Sequence, residues 1–145
     1  MVLKHAAWIH GTSIEFENSS WAALALRQGF FTTVRPSNET TSGWLHFAIP
    51  TPVIVNDVRL KAQSAMLRFS TGPKASIAAV HVYDGETKIY ENNNANYKGQ
   101  LQFTRDVLNN LPEVKWGTGI SILVNFSGRD SDAWIQLISA GIDFF

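Results

Sequence analysis

Aromatic and imidazole side chains are the groups with the most chemistry to offer in this sequence. It holds five Trp, three Tyr and four His among 145 residues. Their spacing matters more than their number. Trp44 and His46 alternate with Leu45, Phe47 and Ile49, and His81 and Tyr83 alternate with Val80 and Val82. In a strand, successive side chains point to opposite faces. The aliphatic residues therefore claim the core face. Trp44, His46, His81 and Tyr83, joined by Tyr90, are expected on the outer one. An indole or phenol ring packs on the C–H face of a sugar, and imidazoles and hydroxyls add hydrogen bonds. Three fates suit such a face. It can pack under a covering loop, it can be buried between two copies of the chain, where Trp and Tyr are enriched, or it can take a small polar ligand, a carbohydrate above all.

The same residue types also serve metals. His10, His46 and His81 sit in strand-like segments with outward parity, and three imidazoles on neighbouring strands would leave a metal an open position. No ligand-spacing motif accompanies them, so ordinary hydrogen-bonded histidines are expected. Asp130 and Asp132, in the loop SGRDSDAW, form an Asp-x-Asp pair of the kind that donates oxygens to Ca²⁺. Arg129 beside them favours a plain solvated loop. Neither a metal nor a cofactor is expected. Glu15 and Glu17 share the outer side of a first strand. Paired carboxylates can perform acid–base work on a glycoside at a suitable separation. Gly-x-Ser-x-Gly is absent, and Gly117 and Gly119 precede a strand rather than a helix, so neither a nucleophile elbow nor a phosphate loop is indicated.

The elements that must position these groups are short alternating strands. Ile14/Phe16, Leu45/Phe47/Ile49, Leu67/Phe69, Val80/Val82 and Ile120/Ile122/Val124/Phe126 each place apolar side chains at every second position. Pro50 and Pro52 stop one strand. Asp84-Gly85 between two alternating runs predicts a two-residue hairpin turn. That turn sets Val82 against Thr87, Val80 against Ile89 and His81 against Lys88. Ala22–Arg27 is ambiguous: its Ala and Leu favour helix by propensity, after a possible Ser19 or Ser20 cap, but the piece is short. Residues 36–43 and the Asn-rich residues 92–99 read as loops. Ile135/Leu137 and Ile142/Phe144 differ in parity, which predicts a bulge near residues 139–141. Strands at this spacing predict one all-β domain over residues 1–145, an antiparallel β-sandwich of jelly-roll type. A closed β-barrel is the alternative.

Composition excludes several classes. Twelve Lys and Arg balance twelve Asp and Glu without any basic run. Phosphate backbones require clustered positive charge, so no nucleic-acid partner is expected. The chain has no Cys, which rules out disulfides, thiolate catalysis and Cys-based zinc sites. Without a membrane span or the apolar core of a signal peptide, a cytoplasmic location is expected.

The stretches IHGTSIEFE, HFAIPTPVIVNDVRLKA, VHVYDG and VKWGTGISI resemble an uncharacterised family of small bacterial proteins of unknown function. The resemblance implies a bacterial, single-domain β protein and brings no catalytic residues. The strand pattern is also similar, at the level of fold, to carbohydrate-binding jelly rolls. A non-enzymatic module binding a carbohydrate or other small polar ligand is therefore expected. A homo-oligomeric structural or interaction domain is the alternative, and a small β-fold enzyme with a hydrophobic pocket is the third reading.

Overall fold

The computed structural model describes residues 2–145, and thirteen strands form nearly all of its regular structure. The chain opens with β1 (His5–His10), a 3-10 turn at Gly11–Ser13 and β2 (Glu15–Phe16). A second such turn at Ser19–Trp21 leads to β3 (Ala22–Arg27), β4 (Thr32–Pro36) and β5 (Thr41–Ile49). A small ribbon follows, β6 (Ile54–Val55) and β7 (Val58–Arg59). The long strands β8 (Ala62–Thr71) and β9 (Ala75–Asp84) come next, then β10 (Thr87–Asn92) and β11 (Gln102–Val107). The chain closes with β12 (Thr118–Phe126) and β13 (Ile135–Phe144).

Two antiparallel sheets result. The front sheet runs β10-β9-β12-β5-β2. The back sheet runs β11-β8-β13-β4-β3, with β1 added beside the second half of β13. Both sheets keep free edges, so the fold is an open jelly-roll sandwich and not the closed barrel kept as an alternative. Period-two alternation explains the core directly. Leu45, Phe47, Ile120, Ile122, Val80 and Val82 of the front sheet meet Leu67, Phe69, Ile135, Leu137, Ile142 and Phe144 of the back sheet, all essentially without exposure. No helix among the described residues is long and apolar enough to cross a membrane.

Three local expectations are corrected. Ala22–Arg27 is a strand, not a helix, and pairs with β4. Six residues are too few for a helix to stand by propensity alone, so the available ladder wins. The bulge in β13 falls at Ile138, where Leu137 pairs with Phe69 and Ser139 with Arg68, slightly before the expected place. The β9–β10 hairpin turns at Gly85-Glu86 rather than Asp84-Gly85, with Asp84 opposite Thr87. Only Gly85 of the two has positive φ, at 58°, as expected when glycine takes the first central position of a type II′ turn. A further bulge at Ile89 then sets Tyr90 opposite Val82.

Candidate functional site

The outer face of the front sheet is built in rows by the register of three strands. Ser121 of β12 lies between His46 of β5 and His81 of β9. One row along, Gly119 lies between Ala48 and Tyr83, and on the other side Leu123 lies between Trp44 and Ala79. The expected residues Trp44, His46, His81 and Tyr83 are thus brought together. The indole of Trp44 leans across β12 to meet the His81 ring, with centroids 4.8 Å apart, and Tyr83 lies 6.5 Å beyond His81. Glycine at position 119 leaves the floor between them low. The outcome is an open cleft of about 620 Å³ walled by Trp44, His46, His81 and Tyr83, with Glu17 at its margin.

The polar groups of the cleft form a connected chain. His46 Nδ1 and Ser121 Oγ are 2.7 Å apart, and His46 Nε2 is 3.3 Å from Glu17 Oε1. With Nε2–H donating to the carboxylate, Nδ1 accepts the serine hydroxyl. This is the connectivity of an activated nucleophile. Acyl transfer also needs donors aimed at the developing oxyanion. β12 is paired on both edges, so its N–H groups are already taken by the ladders. The chain of contacts instead holds the imidazole in one orientation. His81 is held in the same way, with Nε2 2.7 Å from Asn93 Oδ1.

Tyr90 does not join this face. The bulge at Ile89 turns it inward, where its hydroxyl donates to Asp106 Oδ2 at 2.9 Å. Asp106, only 5% exposed on β11, also accepts from Asn92 Nδ2 at 3.0 Å and Tyr97 Oη at 2.6 Å. The cluster ties the edge of the back sheet to the edge of the front one. Burial first, and the Asp106 carboxylate second, push the Tyr90 phenol up to about 12 and the Tyr97 phenol higher still.

The candidate metal ligands are dispersed. His10 lies on β1 of the back sheet and bonds Thr12, away from His46 and His81. The Asp130 carboxylate pairs with the Lys74 ammonium and accepts the Asp132 N–H, contacts that hold it below the usual carboxylate range. Among the described residues no group of three or more His, Asp or Glu is placed to hold a metal ion.

One cleft residue, Ser121, and one neighbour of the cleft, Trp116, are not singled out by the sequence. Ser121 had a signal, because Ile120 and Ile122 point inward and force it outward. Trp116 had none. It stands beside Gly117 and against Gly85, both of which line the cleft, and is 75% exposed.

Residues 2–145 match the profile of a family of unknown function, DUF6623. The chain belongs to this family. No curated protein matches the sequence. Among solved structures, the DUF6623 chain is similar to a low-affinity xylan-binding module from the gut symbiont Roseburia intestinalis. The TM-score is 0.57 at 7% identity, over 98% of this chain and 97% of that one. It is also similar to a cyclase from Fischerella sp. TAU bound to 4-(1H-indol-3-yl)butan-2-one, with a TM-score of 0.55 at 11% identity, over 96% and 89% of the two chains. At such identities the likeness is one of fold. It joins a binding module and an enzyme on the same sandwich, so the reading of function has to come from the site.

Proposed function

We propose that this DUF6623 chain is a non-enzymatic binding module whose front-sheet cleft takes a carbohydrate or a similar small polyhydroxylated ligand. The observation that carries the proposal is the pairing, in one open cleft, of aromatic rings from Trp44, His81 and Tyr83 with the fixed polar row His46–Ser121 and the exposed Glu17. A sugar presents both complements at once, an apolar ring face and a rim of hydroxyls. Flat aromatic walls without polar neighbours would suit a lipid, and a charged cleft would suit a phosphate ligand; this cleft is neither. The described neighbour from R. intestinalis makes xylan the first ligand to test.

The test is affinity electrophoresis and calorimetry with soluble xylan, glucomannan and β-1,3-glucan against the wild-type protein and Trp44→Ala. Binding to at least one glycan is expected, weakened in the variant by about 2 kcal/mol or more, as for a central aromatic anchor. Sedimentation of the same samples addresses the rival occupant, a second copy of the chain. Absence of glycan binding together with a dimer that Trp44→Ala dissociates would replace the ligand with self-association.

A further inference from the structure

Trp116 is the most exposed tryptophan described, and the fold holds it there with a buried carboxylate. Asp84, 5% exposed at the end of β9, receives three backbone N–H groups from the loop before β12. Its Oδ2 accepts from Lys115 at 2.9 Å, and its Oδ1 accepts from Trp116 at 2.8 Å and Gly117 at 3.1 Å. The Gly85 N–H closes the clamp on the Gly117 carbonyl at 2.9 Å. The backbone of Trp116 is thereby locked to the β9–β10 hairpin. Its side chain lies against Gly85, where an added Cβ would stand 3.1 Å from that of Trp116.

An exposed indole on a rigid loop has no packing return inside the chain. Its position supplies one outside it. Gly85 and Gly117, the two residues that flank Trp116 in space and sequence, are lining residues of the cleft. The Trp44–His81 pair walls the cleft, and Trp116 stands just outside its lining, next to Gly85 and Gly117. From Leu123, level with Trp44, back to Thr118 the strand runs roughly 16 Å. Beyond it stands Trp116, so two tryptophans bracket a span longer than one sugar ring.

We infer that Trp116 forms a second aromatic subsite at the edge of the cleft and that the occupant is a linear oligosaccharide laid along the strands rather than a single sugar. This rests on the carbohydrate reading of the cleft and adds the ligand's length and direction. Preorganisation by Asp84 fits that role, because an aromatic held in place loses little freedom when a ring stacks on it.

Calorimetry with xylohexaose, mannohexaose and laminarihexaose, each beside its disaccharide, tests the inference on wild type, Trp116→Ala, Trp116→Phe and Trp44→Ala. The wild type should bind a hexaose more tightly than the matching disaccharide. Trp116→Ala should weaken the hexaose about tenfold and the disaccharide far less, Trp116→Phe should recover much of the loss, and Trp44→Ala should weaken both. Equal hexaose affinity in Trp116→Ala and wild type overturns the second subsite, while a loss in Trp44→Ala still upholds the carbohydrate reading. If the wild type binds none of the six sugars, both fall together.

Discussion

The five tryptophans do not all meet the same demand, and that division decides what substitution at each would do. Trp21 is buried over Gly43, and Trp8 and Trp134 lie against Gly141 and Gly72. Those three fill space that a missing Cβ leaves open. Trp44 instead leans over the outer face of its own sheet toward His81. Removing its ring should cost little in folding, because no inward packing depends on it. Phe47, one position from His46 but facing the core with 1% exposure, has the opposite role. Phe47→Ala should destabilise the fold by about 3–5 kcal/mol through the cavity it leaves. Trp44→Ala should cost clearly less, and Lys61→Ala, a surface truncation, should stay within about 0.5 kcal/mol. Urea denaturation of the three variants ranks them. A Trp44→Ala protein as unstable as Phe47→Ala would make Trp44 a structural residue and remove the main support for the cleft as a binding site.

At the scale of elements, the β9–β10 hairpin shapes both the site and the joint between the sheets. Its turn at Gly85-Glu86 frees Asp84 to organise the Trp116 loop, and its bulge at Ile89 sends Tyr90 inward to Asp106. Asp106→Ala would leave the Tyr90, Tyr97 and Asn92 donors without their acceptor, each a loss of about 1–3 kcal/mol where the group stays buried. The same cluster makes an alkaline limb in stability. A phenol kept neutral in the fold holds its proton at a pH where the unfolded chain, titrating near 10, has lost it. The Tyr90 contribution is complete below pH 10 and is lost as pH rises toward about 12. Stability should therefore decline over that window. Tyr90→Phe should show a shallower decline, and ultraviolet tyrosinate titration should find Tyr90 ionising later than a free tyrosine. A late phase unchanged by Tyr90→Phe would show that this phenol is not the shifted group.

For the molecule as a whole, the two sheets share one continuous apolar core, from Ile14 and Leu45 through Phe69 to Phe144. A shared core couples the sheets, since neither keeps its apolar face covered without the other. We propose accordingly that residues 1–145 unfold as one domain. Calorimetric and fluorescence-detected melting should coincide in a single transition. EDTA should leave its midpoint in place, because Asp130 is paired with Lys74 rather than held for a cation. Two separated transitions would break the single-domain reading, and a large drop on chelation would restore the Asp130/Asp132 loop as a calcium site.

Everything that follows from a strand's period of two was legible in the residues. Parity alone assigned Phe47, Val82 and Ile122 to the core and Trp44, His46, His81 and Tyr83 to the outer face, because a strand's pleat leaves each side chain only two directions. It also carried the all-β class and the need for a bulge in β13, while the choice of an open sandwich over a closed barrel came from the free sheet edges. Register and long-range partners settled the rest. The displaced turn shifts the pairing by two and keeps the faces, but the one-residue bulge at Ile89 moved Tyr90 from the proposed face to the inter-sheet cluster, since a single-residue slip exchanges the faces of all that follows. The helix-favouring Ala22–Arg27 became a strand because β4 offered a ladder that local propensity does not see. Trp116 became a candidate subsite because Asp84, far from it in sequence, fixes its loop beside the cleft. Such contacts are set by which strands lie side by side, and alternation within each strand is silent on that order.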